Sequence, residues 1–180
     1  QLTEKVVKSR LVGHLSAHSM LNPHQSAYIK SHSTETVLLS LHDHLIKRIS
    51  QQELTGICLL DLSAAFDTID HSTLLHRLKT WFGFDGTTLS WLSSYLSSRS
   101  FAVSAHGSLS PTFSSSHGVP QGSVLGPLLF ILYTTPLSAL ISSTPVEHHL
   151  YADDTQLYLS FKPGWIRFKS SDLNQRFKSI

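Results

Sequence analysis

Helical periodicity of apolar residues predicts five helices in this chain. They cover residues 2–15, a segment opened by Ser33-Thr34-Glu35, a segment capped by Asp70 or Ser72, a segment that begins at Thr87 or Thr88, and residues 128–140. The second and third have the clearest inward stripes, because their apolar residues recur every three or four positions. The predicted inward residues are Val37, Leu38, Leu41, Leu45, Ile46 and Ile49 in the second helix, with Asp43, Lys47 and Arg48 outward, and Leu74, Leu75, Leu78, Trp81 and Phe82 in the third.

Shorter apolar runs predict strands. Residues 56–62 predict a buried strand, and residues 150–161 predict two short strands around a turn at Asp153-Asp154. Phe101, Val103 and Ala105 alternate with other residues, which predicts a half-buried strand that pairs with residues 111–116 as a hairpin. A loop rich in Gly and Pro covers residues 118–126. From residue 56 onward the resulting order is β-α-α-β-β-α-β-β, which is typical of the α+β class, with an antiparallel sheet and helices packed on one face.

The composition favours an ordinary folded domain. The chain has 180 residues, of which 41% are hydrophobic and 14% charged, so one core is feasible and a disordered chain is excluded. A single cysteine, Cys58, excludes an internal disulfide and a thiolate zinc site. The twelve histidines show no zinc-binding spacing, so we expect them at the surface or at helix caps. No stretch reaches the roughly 18 apolar residues of a membrane span, so no membrane partner is expected.

The charges are distributed unevenly along the chain. The formal net charge is +2, yet residues 51–161 hold three basic and eight acidic side chains, and therefore a net charge of −5. Eleven of the fourteen Lys and Arg residues lie in the two ends. An acidic centre suits a site for divalent cations, and basic flanks suit nucleic acid. Solvated charges scattered by chance are the simpler interpretation.

Carboxylates stand at two places where predicted strands end. Asp61 follows an apolar run, and a carboxylate there is costly to bury unless it is paired or binds a metal. Asp153 and Asp154 are adjacent in a predicted tight turn, where a hard cation such as Mg²⁺ would relieve their repulsion. Each place also has a simpler interpretation, because Asp61 could cap the next helix and aspartate is common in exposed turns.

Three passages, taken in order, resemble the reverse transcriptase family. Residues 59–67, in which an aromatic residue follows Asp61 five places later, resemble its first palm motif. Residues 118–127 resemble the palm loop that leads into a long helix, and Tyr151-Ala152-Asp153-Asp154 resembles the catalytic hairpin. The amino-acid sequence of residues 64–71 and 121–130 is most similar to that of reverse transcriptases of non-long-terminal-repeat retrotransposons, the long interspersed elements of animal genomes. The resemblance covers about residues 25–161.

This resemblance implies a reaction and its cofactor. The reaction is RNA-templated DNA synthesis, in which nucleotides are transferred from dNTPs to a primer 3′-hydroxyl with two Mg²⁺ ions, or Mn²⁺ in their place. The implied catalytic residues are Asp61, Asp153 and Asp154, and these carboxylates are also the implied metal ligands, together with the backbone carbonyl of Leu62.

Further residues match positions that the family uses to bind the nucleotide. Phe66 corresponds to the sugar gate, where an aromatic ring fills the space of a ribose 2′-hydroxyl. Gln121 corresponds to a contact near the base and sugar, and Gly122 lets the backbone approach closely. Many relatives have arginine where Ile29 stands, and Lys30 is the implied substitute for phosphate contacts.

The resemblance also implies a domain organisation and partners. Residues 1–55 correspond to part of the fingers, residues 56–161 to the palm, and residues 162–180 to a poorly specified tail, with the thumb absent. The implied partners are an RNA template, a DNA primer and a dNTP, along with the thumb and endonuclease of a longer polyprotein. Members of the family act inside cells, in the cytoplasm and nucleus.

Two other interpretations stay open at this stage. One is a non-catalytic remnant of a retrotransposon polymerase with the same fold. The other is a metal-dependent phosphoesterase, which would need further His or Asp ligands and leaves the loop at residues 118–127 unexplained. We also expect the chain by itself to be inactive, because no thumb is present to clamp the duplex.

Overall fold

Five helices and seven strands make up the part of the chain that the computed structural model describes, residues 2–97 and 99–163. The helices are α1 (Leu2–Ala17), α2 (Thr34–Ser50), α3 (His71–Phe82), α4 (Gly86–Leu96) and α5 (Gly126–Ser142). The strands are β1 (Leu54–Leu60), β2 (Ser100–Phe101), β3 (Ser104–Ala105), β4 (Ser108–Leu109), β5 (Phe113–Ser114), β6 (Glu147–Tyr151) and β7 (Asp154–Phe161). Each predicted helix and strand is present, whereas residues 164–180 of the predicted tail lie outside the described residues.

The chain divides into two compact units. The first unit contains Gln1–Leu21 and Ala64–Tyr133, and the second contains Asn22–Ser63 and Thr134–Ile180. Helix α5 therefore contributes its N-terminal half to the first unit and its C-terminal half to the second. Within residues 2–97 and 99–163, we find no helix with the length and apolar character that a membrane crossing requires.

Helix α3 supplies much of the core of the first unit. Asp70 caps it by accepting a hydrogen bond from the backbone N–H of Thr73 at 2.7 Å, and Gly83 ends it with a left-handed φ of 65°. Leu74, Leu78 and Phe82 are buried as predicted. Trp81 is 47% exposed, contrary to the prediction, because the buried residues form one row at four-residue spacing and Trp81 lies beside that row.

The predicted hairpin in the first unit is present but interrupted. Strand β2 pairs with β5, and β3 pairs with β4, so the hairpin consists of two separate two-stranded sheets. Phe101 and Val103 are exposed, contrary to the half-buried strand that we predict. The reason is that Phe101 packs across the strands on the ring of Phe113, with centroids 5.9 Å apart, and both rings stay half exposed.

A three-stranded antiparallel sheet organises the second unit, in the order β1-β7-β6. Its core is built on Leu157 of β7, which is fully buried against Ile141 and Val146. Leu137 and Cys58 pack around this cluster. The C-terminal half of α5 therefore covers one face of the sheet, and burial of these side chains holds β7 in the centre.

Several burial predictions for helix α2, in the second unit, are wrong. Helix α2 begins as predicted, with a capping box between Ser33 and Thr36, but its predicted inward residues Leu38, Ile46 and Ile49 are exposed. The predicted outward Arg48 instead turns to the sheet, where its guanidinium pairs with Glu147 at 2.7 Å.

Strand β1 also differs from its prediction, because Leu59 is 71% exposed rather than buried. The cause is topological: β1 is an edge strand, and alternate residues of a strand point to opposite faces, of which α5 covers one.

Candidate active site

The predicted catalytic hairpin is formed by β6 and β7. Tyr151 pairs with Asp154, so the turn contains only Ala152 and Asp153, and Asp154 is the first residue of β7 rather than part of the turn. Ala152 has a φ of 55°, in the left-handed region. A two-residue hairpin turn needs such a conformation to match the twist of its strands, and the turn lies one residue earlier than the predicted Asp153-Asp154.

Asp61 lies at the same end of the sheet as this hairpin. The β1–β7 ladder ends at the pair Leu60 and Thr155, and Asp61 follows immediately, so continuing the register by one residue sets it opposite Asp154. Residues opposite one another in an antiparallel pair point to the same face of the sheet. Asp61 and Asp154 are exposed and Asp153 is half-buried. The second unit thus brings all three predicted carboxylates to one sheet end, although they are about ninety positions apart in the sequence.

The chemistry of this donor set fits Mg²⁺. The three side chains offer only carboxylate oxygens, and the predicted ligand set also includes the backbone carbonyl of Leu62, next to Asp61 in the sequence. Across residues 2–97 and 99–163, no group of three or more His, Cys, Asp or Glu side chains is arranged to hold a metal ion by itself. Mg²⁺ rarely requires such a closed protein cage, because it usually binds one or two carboxylates together with water and substrate phosphates.

A segment before α2 borders the β6–β7 hairpin. The backbone N–H of Ser26 donates to the carbonyl of Leu150 at 3.0 Å, and the N–H of Leu150 donates to the carbonyl of His24 at 2.8 Å. These bonds form a parallel bridge along the free edge of β6. The buried side chain of Gln25 reaches the turn at Ala152. The role of Gln25 is not evident from the sequence, because a single glutamine has no periodicity that signals a long-range contact.

Tyr28 is a second neighbour of the site that the sequence did not indicate. Its side chain is 52% exposed, and its backbone has a φ of 61°, which is unusual for a bulky residue. Partial burial raises the pKa of Tyr28, and the charge of Asp153 raises it further. Lys30, two residues further on, is exposed.

Two histidines of β6, His148 and His149, contact the same segment. His148 is buried, contrary to the surface or cap role that we predict for the histidines, because its ring stacks on His24 at 4.2 Å and contacts the hydroxyl of Ser138 at 2.6 Å. Burial lowers the pKa of His148 to about 4, and the charges of His24 and His149 act in the same direction. Burial also lowers the pKa of His149, whose ring lies 2.9 Å from the hydroxyl of Ser26.

The other predicted site residues belong to the first unit. Phe66 is half-buried and stacks on Phe130 with centroids 4.9 Å apart, and its carbonyl accepts a hydrogen bond from the N–H of Val119 at 3.0 Å. Gln121 and Gly122 are exposed in the loop before α5. Gly122 has a φ of 78° and no atom within 4 Å of an added Cβ, so its conformation, and not crowding within the protein, favours glycine.

Close packing fixes the start of this loop on the segment that carries Phe66. Gly118 donates its N–H to the carbonyl of Ile69 at 2.8 Å, and its own carbonyl accepts from the ring N–H of His71 at 2.7 Å. A Cβ added to Gly118 would lie 3.2 Å from the carbonyl oxygen of Asp67, and its φ of 83° disfavours any other residue. Hydrogen bonds therefore hold the loop with Gln121 against the segment with Phe66 within the first unit.

Comparison with known proteins adds independent information. The family described as "Reverse transcriptase (RNA-dependent DNA polymerase)" matches residues 1–169. The chain is 32% identical over 165 residues to "Probable RNA-directed DNA polymerase from transposon BS" of Drosophila melanogaster. This match covers 89% of this chain and 18% of that protein. It is also 32% identical over 136 residues to "Probable RNA-directed DNA polymerase from transposon X-element" of the same species, covering 73% and 14%. The chain thus spans less than a fifth of these curated relatives.

A solved structure gives a similar fold. Apo telomerase from Candida tropicalis matches with a TM-score of 0.67 at 15% sequence identity, covering 98% of this chain and 33% of the telomerase chain. At this identity the likeness shows the fold alone. It confirms the predicted α+β class with a polymerase palm-like antiparallel sheet.

Proposed function

The chain belongs to the reverse transcriptase family, in the branch of non-long-terminal-repeat retrotransposons, and from this premise we propose that it carries the nucleotidyl-transfer site of an RNA-templated DNA polymerase. One observation carries the proposal. The register of β1 on β7 and the short β6–β7 turn bring Asp61, Asp153 and Asp154 to one end of the sheet. These are the carboxylates of the first palm motif and the catalytic hairpin.

The carboxylates act by holding charge in place. Asp61, Asp153 and Asp154, with the carbonyl of Leu62, would hold the divalent ions, which when bound would supply activation of the primer 3′-hydroxyl and charge neutralisation of the triphosphate. Asp153 is half-buried on a short turn, and Asp61 follows a paired strand, so both side chains start from well-fixed backbone. Catalysis of this kind depends mainly on positioning and electrostatics, which a rigid sheet end favours.

The first unit supplies residues for the nucleotide itself. Phe66 is the residue that would exclude a ribose 2′-hydroxyl, and its stacking on Phe130 keeps the ring from turning away. Gln121 and Gly122 are exposed on the loop that is bonded to the Phe66 segment, so they are available to a nucleotide. The exposed Lys30, in the second unit, would contact phosphate.

The same proposal includes the partners and the division of labour along the chain. Residues 1–55 serve as part of the fingers and residues 56–161 as the palm, acting on an RNA template, a DNA primer and a dNTP. The central acidic stretch repels phosphate unless cations are bound, so contacts to the duplex come from the basic ends of the chain and from the thumb of a longer polyprotein.

Substitution of the carboxylates tests the proposal. We would use a chimaeric polymerase, in which this chain replaces the matching segment of the fly transposon BS protein. Asp61→Asn and Asp153→Asn should each reduce primer extension by about 100-fold or more, and Asp154→Asn should do likewise. The double variant that combines Asp61→Asn with Asp153→Asn should extend the primer little worse than either single variant, because the carboxylates act as one unit.

Asp43→Asn provides the control, because Asp43 is an exposed acid on α2 of the same unit. It should leave extension within about twofold of the parent. Near-normal extension by the Asp61→Asn or Asp153→Asn variant would show that the metal assignment is wrong. A folded but inactive parent would favour the non-catalytic remnant.

A further inference from the structure

We propose that Gln25 is a positioning residue for the carboxylate site, because its buried amide clamps the backbone of the turn that carries Asp153. The inference rests on the proposed function for its catalytic meaning. The clamp itself involves only one side chain and one turn, so it can be tested separately from any catalytic role.

The contacts of Gln25 are directed at a single residue of the turn. Gln25 is only 4% exposed. Its Nε2 donates to the carbonyl of Ala152 at 3.3 Å, and its Oε1 accepts from the N–H of Ala152 at 3.1 Å. The same Oε1 accepts from the N–H of Ala27 at 2.8 Å. Both backbone groups of Ala152 are thus bonded by one amide.

The sequence of the turn explains why a clamp is needed. Two-residue hairpin turns favour glycine or asparagine where φ is positive, yet this turn is Ala152-Asp153 and its alanine has a φ of 55°. Alanine has no intrinsic preference for that conformation. In addition, Asp153 and Asp154 repel each other when both are ionised. External bonds to Ala152 therefore select a backbone conformation that the turn residues themselves disfavour.

Gln25 is well placed to act as a clamp because its own backbone is anchored independently. The neighbouring residues His24 and Ser26 exchange backbone hydrogen bonds with Leu150, and the Ser26 hydroxyl contacts His149. Loss of the Gln25 amide should therefore free the turn and leave the segment paired to β6. The expected consequence is a looser Asp153, with reduced turnover and little change in nucleotide affinity.

Two variants and one control separate these effects. Gln25→Met keeps the length and approximate volume of the side chain but removes both bonds to Ala152. Gln25→Glu keeps an acceptor for the N–H of Ala152 and removes the donor to its carbonyl. Thr55→Val is the control, because Thr55 bonds Ser160 at 2.8 Å at the other end of the same sheet, away from the turn.

The first measurement is hydrogen exchange of the Ala152 amide in the 180-residue chain, followed by NMR, with Leu157 in the core of β7 as an internal reference. We expect exchange at Ala152 to be about tenfold faster or more in Gln25→Met, intermediate in Gln25→Glu and unchanged in Thr55→Val. Unchanged exchange at Ala152 in both Gln25 variants would overturn the clamp. If Gln25→Met fails to fold, the Gln25→Glu result decides.

The second measurement is steady-state extension by the chimaeric polymerase. We expect Gln25→Met to lower kcat by about tenfold or more with the nucleotide KM within about twofold, and Thr55→Val to change neither. A fall in kcat no larger than that of Thr55→Val would overturn the positioning role. Inactivity of the parent, or activity of Asp153→Asn, would instead contradict the proposed function, and the exchange result would still stand.

Discussion

Mild acid should destabilise the second unit through His148. This side chain is buried, and burial together with the charges of His24 and His149 lowers its pKa to about 4. In the unfolded chain His148 binds a proton near pH 6.5, whereas in the folded chain it does so only near pH 4. Between these values the unfolded state holds more protons, so stability is fully present above pH 6.5 and falls as the pH drops toward 4.

The size of the loss follows from the gap between the two pKa values. One pKa unit corresponds to about 1.4 kcal/mol, so the gap of about 2.5 units amounts to at most about 3.5 kcal/mol of unfolding free energy. This is a large part of the stability of an ordinary domain. The lowered pKa of His149 adds a loss in the same direction.

Urea unfolding between pH 4 and pH 7.5 provides the assay. His148→Leu should flatten the pH profile in this range, even if it lowers stability at pH 7 by removing the contact with Ser138. His42→Gln is the matched control, because His42 is exposed on α2 of the same unit and should leave the profile unchanged. Parallel profiles for the parent and His148→Leu would refute the reasoning.

The remaining predictions concern sugar selection, the core and the isolated chain. Phe66→Val in the chimaeric polymerase should raise the efficiency ratio of ribonucleotides to deoxynucleotides about tenfold or more, and an unchanged ratio would leave Phe66 as a packing partner of Phe130. Leu157→Ala should cost about 2–5 kcal/mol in urea unfolding, whereas Leu59→Ala on the exposed side of β1 should cost about 0.5 kcal/mol or less; equal losses would contradict the burial of Leu157. The 180-residue chain alone should bind Mg²⁺ weakly, with little extension of a primed RNA template, because the acidic stretch of residues 51–161 repels phosphate; long Mg²⁺-dependent products would contradict this expectation.

Local signals explain how much of the fold the sequence predicts. A capping aspartate, an apolar row and a terminal glycine define α3, and these are interactions between residues close in sequence. The approach of Asp61 to the hairpin was also predictable, because it requires only that two apolar runs pair as strands. Which face of an amphipathic element is covered is a tertiary property, and the exposed Leu38 of α2 shows that periodicity alone does not determine it.

The parts of the site that the sequence did not reveal depend on long-range polar contacts. Gln25 reaches Ala152 across 127 positions, and His148 is buried by residues from another segment and from α5. Neither side chain belongs to a repeating pattern, and the same residue types are usually exposed. The register of the hairpin was missed by one residue, because Ala152 adopts a left-handed conformation that alanine seldom takes.

The pairing of β1 with β7 also bears on synthesis of the chain. Leu60 and Thr155 are partners in the ladder although 95 residues separate them, so β1 leaves the ribosome long before its partner exists. Contacts of such separation form late and slowly, and during that interval the apolar β1 is open to chaperones or to wrong pairing. A product terminated before residue 154 would contain the first palm motif and yet lack every hydrogen bond of the sheet that positions it.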